Sequence, residues 1–194
     1  MTSVKSLVLH GWFAVAMLAH SARAEPMDKK AGILPIPPPY NVTPTNAVLK
    51  QEDLAGTVNM ASKAAVTVSS THTGTEGEGS PAALTDGDLK TRWSSEYSAP
   101  QSVILDFGKP VDIRAIKMHW ERAAATCYGV FALMGANTWM NVHFHYRNDK
   151  DPRDRVDEFA LKDVKTSKLR FDLQKNVNPD WGFSLYEIEV FCRK

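Results

Sequence analysis

The sequence predicts an all-β fold, an antiparallel sandwich, on three observations. Apolar residues recur with a period of two, not 3.6. The apolar runs are short and separated by Gly-, Pro- and Asp-rich connections, as in a sandwich of hairpins. Beyond residue 24 the aromatic residues concentrate in one part of the chain: between residues 25 and 92 Tyr40 stands alone, whereas Trp, Tyr and Phe recur from Trp93 to Phe191. The sandwich is therefore placed at residues 55–194.

Two segments precede it. Residues 1–24 have the layout of a secretory signal: Lys5, an apolar run from Leu7 to Ala19, then Ala22-Arg23-Ala24 before Glu25. The run is short of the roughly 20 residues a membrane span needs, so a secreted, extracellular protein is expected, with no transmembrane segment. Residues 25–54 form a leader, extended through Pro35, Pro37, Pro38, Pro39 and Pro44, with one helical turn at 49–54. Export makes Asn41-Val42-Thr43 a glycosylation sequon in a eukaryotic host.

The strands follow in order. Val66 and Val68 mark the first. Val103, Leu105 and Phe107 alternate with Ile104 and Asp106, and Ile116, Met118 and Trp120 alternate with Lys117 and His119. Residues Cys127 to Met134 are apolar on both phases, which predicts a strand covered on both faces. Val142, Phe144 and Tyr146 alternate with His143 and His145. Leu169, Phe171 and Leu173 alternate with Arg170 and Asp172, and Tyr186, Ile188 and Val190 with Glu187 and Glu189.

Composition excludes several classes. There are 23 Lys+Arg against 22 Asp+Glu, and removal of Lys5 and Arg23 with the signal leaves 21 against 22. Such a balance carries no nucleic-acid footprint. Two cysteines are too few for a disulfide framework or a four-cysteine zinc site. No Ser-His-Asp order, metal-ligand cluster or phosphate loop marks an enzyme.

Several patches together resemble the discoidin, or coagulation factor V/VIII type C, domain. They are Asn59-Met60-Ala61 through Ser70, Ala83-Leu84-Thr85-Asp86-Gly87-Asp88-Leu89-Lys90-Thr91-Arg92-Trp93, and Val103-Ile104-Leu105-Asp106-Phe107-Gly108. His119-Trp120-Glu121-Arg122-Ala123-Ala124 and Trp181-Gly182-Phe183-Ser184-Leu185-Tyr186-Glu187 are most similar to family 32 carbohydrate-binding modules. The resemblance implies a galactose-binding-like jelly-roll β-sandwich and a non-catalytic, lectin-like glycan-binding role.

It also implies a structural calcium. The Asp86 and Glu187 carboxylates and Thr91 would hold it, with backbone oxygens of Ala83, Asp88 and Tyr186. Calcium takes six to eight oxygen ligands, and Asp86-Gly87 is in any case a strong turn signal. Read without the resemblance, the same loop is a surface Asx turn.

By the same resemblance, the sugar-facing loops carry Glu96, Tyr97, Trp120, Glu121, Arg122 and Trp181. Sugar binding needs an apolar ring against the C–H face of a pyranose and fork-like polar groups for its hydroxyls. The pattern departs from galactose-binding members at Ser94 and over Trp120 to Thr126, so galactose is not implied. Trp120 has two readings, a core residue ending its strand or a binding residue, and Trp93 is read as core.

Three features receive plainer readings. His143 and His145 are expected on an exposed polar face, and Arg147 to Arg155 as a solvated mixed-charge insertion. Cys127 and Cys192 are expected unpaired or in intermolecular bonds. The alternative function is a discoidin-type adhesion or membrane-contact domain with a cell-surface glycoprotein partner. That role calls for paired apolar spikes, whereas Thr71 to Ser80 offers mostly Thr, Gly and Glu.

Overall fold

Long strands that change partners midway build this molecule. The computed structural model describes residues 49–74, 78–148 and 151–194. The signal segment, the sequon and most of the Pro-rich leader lie outside the described residues. A 3-10 turn at Gln51–Leu54 opens the described chain. Strands follow at β1 (Thr57–Asn59), β2 (Ala65–Val68), β3 (Glu78–Gly79), β4 (Arg92–Ser94) and β5 (Gln101–Trp120). The remainder are β6 (Ala125–Met134), β7 (Thr138–Tyr146), β8 (Arg155–Asn176) and β9 (Ser184–Arg193).

Hydrogen-bond order divides these strands into two layers. One runs β3-β4-β9, then residues 111–120 of β5, then residues 155–166 of β8, with β1 also on β9. The other runs β2, residues 101–106 of β5, residues 168–176 of β8, β6 and β7. Strands β5 and β8 pass from one layer to the other where their register shifts, between Asp106 and Val111. All pairs are antiparallel except β3 with β4. This is the expected jelly-roll β-sandwich.

The two stretches 103–107 and 116–120, expected as separate strands, are one strand interrupted by the shift at Gly108. The core is a single cluster between the layers that includes Trp93, Leu105, Ile116, Met118, Trp120, Tyr128, Phe171 and Ile188. Strand β6 is buried on both faces through Ala132, as its sequence predicts.

Two expectations are corrected. Arg155 does not lie in a solvated insertion, because it opens β8 and its guanidinium packs over the Trp120 ring at 5.5 Å. The inward positions of this half-strand are Asp157, Phe159 and Leu161, while Val156 faces out. A buried carboxylate thus replaces the apolar residue that would have betrayed the strand. His143 is not on an exposed face either: it is buried and stacks on Phe159 with ring centroids 3.6 Å apart, and His145 stacks on Tyr128 at 4.7 Å. Cys127 and Cys192 are unpaired, as one of the two readings expected, and both are buried.

Candidate functional site

Three connections meet at one end of the sandwich. They are residues 95–97 after β4, residues 121–124 between β5 and β6, and residues 177–183 between β8 and β9. Backbone hydrogen bonds tie them together at the base. Ser95 N donates to Phe183 O at 2.9 Å, Ser184 N to Ala123 O at 3.0 Å, and Glu121 N to Ser184 O at 3.2 Å. Phe183 N donates in turn to Ser95 Oγ at 2.9 Å. A side chain at Gly182 would place its Cβ 2.6 Å from the Ser95 and Glu96 carbonyl oxygens, so only glycine permits this approach. The loops are therefore one rigid rim, not three independent ones.

Between them lies a cleft of about 340 Å³, lined by Ser94, Tyr97, Glu121, Arg122, Asp180 and Trp181 among others. That volume is at the lower end of the range for small-ligand sites, about 300–1,000 Å³. Trp181 is half-buried and held by Trp181 N donating to Asn178 O at 3.1 Å, within a turn where Asp180 N donates to Asn178 Oδ1 at 3.0 Å. Tyr97 is 64% exposed. Its ring stacks on His72 at 4.6 Å, and His72 N donates to Ser94 O at 2.9 Å. Glu96 lies beside this pair, its carboxylate 3.9 Å from His72 Nδ1. His72 and Asp180 escaped the sequence reading. His72 sits in a Ser/Thr-rich stretch with no periodicity, and Asp180 belongs to an Asn-Pro-Asp turn that looks like ordinary turn chemistry.

Trp120 is withdrawn from the ligand face. It is fully buried, and its Nε1 donates to Asp157 Oδ2 at 2.8 Å. The same oxygen accepts from Tyr128 Oη at 3.2 Å, while Arg155 Nε donates to Asp157 Oδ1 at 3.0 Å. The physical reason is phase. Ile116, Met118 and Trp120 share the inward face of β5, so the ring enters the core and its N–H meets a protein partner. Trp93 is likewise fully buried.

Of the expected calcium residues, hydrogen bonds join Asp86, Asp88 and Thr91 in one loop, and Gly87 of that loop reaches Glu187 on β9. Asp86 Oδ1 accepts from Asp88 N and Oδ2 from Thr91 Oγ1, each at 2.8 Å. Gly87, at φ +79°, donates its N–H to Glu187 Oε2 at 3.2 Å. Glu187 is buried, and burial pushes its carboxyl up to about 7, opposed by the Gly87 hydrogen bond and reinforced by the Asp86 charge. Ala83 ends its side of the loop in the turn Pro81–Leu84, and Tyr186 precedes Glu187 on β9, its hydroxyl donating to Asp154 Oδ2 at 3.3 Å. Among the described residues, no group of three or more His, Cys, Asp or Glu side chains is arranged to hold a metal ion. Two carboxylates and a hydroxyl stand together here, hard oxygen donors of the kind calcium takes.

The sequence model of the F5/8 type C domain family matches residues 65–188. No curated protein sequence matches the chain. Among solved structures, the chain is similar to chitosan-binding module 2 of a chitosanase/glucanase from Paenibacillus sp. IK-5, in complex with chitotriose. Identity is 28% and the TM-score 0.58, over 68% of this chain and 98% of that one. Module 1 of the same enzyme is similar at 26% identity and TM-score 0.59, over 69% and 97%. A family 32 module from Clostridium perfringens in complex with GalNAc-β-1,3-galactose shares 19% identity at TM-score 0.59, over 69% and 99%, which bears on the fold alone. Among the described residues, no helix is long and apolar enough to cross a membrane.

Proposed function

This chain belongs to the F5/8 type C domain family, and from that membership we propose that it is a secreted, non-catalytic carbohydrate-binding domain whose ligand seats in the cleft between Tyr97 and Trp181. The observation that carries the proposal is the pairing of these two aromatic rings with Glu121, Arg122 and Asp180 around one rigid rim. Rings of this kind stack on the apolar face of a sugar, and the carboxylates reach its polar substituents. Similarity to the chitosan-binding modules supports a carbohydrate as the ligand class. A single shallow site loses much of its contact energy to ordering costs, so affinity should be on the order of micromolar to millimolar. A glycan on a cell-surface glycoprotein or on a polysaccharide is the expected partner.

A structural calcium belongs to the same proposal. Asp86, Thr91 and Glu187 would hold it, with backbone oxygens of Ala83, Asp88 and Tyr186. The ion would offset the mutual repulsion of two carboxylates, one of them buried, and so fasten the loop after Leu84 to β9. A glycan array including free-amine and N-acetylated chito-oligosaccharides, probed with and without chelator, tests the reading. Retention on one glycan class supports it, and retention on none overturns it.

A further inference from the structure

Arg122 lies over the ring of Trp181, and both side chains line the cleft. Its guanidinium carbon lies 5.6 Å from the Trp181 ring centroid, within the range of a cation–π contact. Its Nε also lies 3.3 Å from Glu121 Oε1. The two partners differ sharply in exposure: the Arg122 side chain is 66% exposed and that of Glu121 only 13%. Glu121 is further fixed by Ala123 N, which donates to its other oxygen at 2.9 Å. The arrangement is thus a held carboxylate and an aromatic ring, with an exposed cation on a long stem seated between them.

We propose that Arg122 is an internal stand-in for the ligand, and that the seat between Trp181 and Glu121 selects a sugar carrying a protonated amine. The proposal rests on the carbohydrate reading and adds the charge of the sugar and the residue that competes with it. A sugar that stacks on this face of Trp181 must displace the guanidinium. A neutral sugar then leaves the Glu121 carboxylate without its cation in a mostly enclosed position, which is costly. An ammonium group on the sugar restores the charge pair while the ring's C–H face restores the contact to Trp181. An N-acetylated amine carries no charge and cannot do so.

Arg122 then acts as a competitor, not as a hydroxyl donor. A site whose competent state is only partly populated shows an affinity reduced by that fraction. Removing the competitor therefore tightens binding of the amino sugar. The test is titration calorimetry of the full chain and its Arg122→Ala variant in mildly acidic buffer, where the sugar amine is protonated. The probes are chitotriose, its fully N-acetylated counterpart and cellotriose. Wild type should bind chitotriose more tightly than the other two, and Arg122→Ala should bind it about three- to tenfold more tightly than wild type does. Glu121→Gln should remove the preference for the free amine and tighten cellotriose binding, because no uncompensated carboxylate is then left behind. Weaker or unchanged chitotriose binding by Arg122→Ala overturns the stand-in role, as does equal wild-type binding of all three sugars. Both results leave the carbohydrate reading intact, whereas no binding of any sugar by either protein overturns both.

Discussion

Trp120 and Trp181 flank the same end of the sandwich, Trp120 pairing with Leu185 at the start of β9 and Trp181 lying in the turn just before it. One ring is sealed between the layers with its N–H on Asp157, and the other is half-open beside a cleft with Arg122 across its face. What separates them is backbone context, not residue type. A tryptophan on the inward phase of a strand finds both apolar neighbours and a polar partner for its N–H. A tryptophan in an irregular turn, packed at its base by Gly182 against a neighbouring loop, keeps a ring face for something else. On the proposed reading the interior region serves stability and the rim serves binding, although they share strands.

The largest expected effect breaks the interior half of this comparison. Trp120→Ala should destabilise the fold by about 3–5 kcal/mol through cavity formation, and the lost donor to Asp157 adds to that cost. Trp181→Ala should shift stability by no more than about 1 kcal/mol. Urea denaturation of the two variants measures the contrast, and equal losses would mean that both rings are core.

This contrast also marks how far the sequence was legible. The phase Ile116, Met118, Trp120 pointed the third residue inward, and the resemblance of Trp120-Glu121-Arg122 to sugar-facing loops pulled the other way. The period-two runs located five strands, two of the runs falling on β5, because their inward residues are apolar. The first half of β8 was hidden, since Asp157 takes an inward position and is satisfied by Arg155, Tyr128 and Trp120, residues distant in sequence or not yet assigned to a strand. His72 was hidden for a similar reason. Its role beneath Tyr97 depends on a loop contact that no local pattern encodes.

The next effect concerns the loop fastened to β9. If calcium binds there, a chelator should lower stability, by about 2.7 kcal/mol relative to calcium at a hundred times its dissociation constant, and Asp86→Ala should abolish that sensitivity. Thermal melts with and without chelator measure it, and identical curves would leave only an Asx turn.

A pH titration sharpens the same point. In chelator the Glu187 carboxyl is raised from 4.5 to about 7 by burial. Its contribution to stability is then fully present below pH 4.5 and lost as pH rises through about 7. Buried His143 is lowered to about 4 from 6.5, so its contribution runs the other way and is lost as pH falls from 6.5 towards 4. The difference between wild type and Glu187→Gln isolates the carboxyl: the wild type should lose ground to the variant across pH 4.5–7 in chelator. A constant difference across that window would contradict the burial of an unpaired acid.

The smallest effect is at the rim. His72→Ala removes the ring under Tyr97, a contact of about 0.5–1.5 kcal/mol, and should weaken glycan binding severalfold while the melting temperature changes little. Binding equal to wild type would show that Tyr97 needs no support.

The claim that the rim is the binding region is tested most directly by titrating chitotriose into wild type and Trp181→Ala under identical conditions, with melting curves of both. The account predicts wild-type affinity on the order of micromolar to millimolar, at least about a tenfold loss in the variant, and an unchanged melting temperature. Undiminished binding by Trp181→Ala would contradict it and move the ligand away from this cleft.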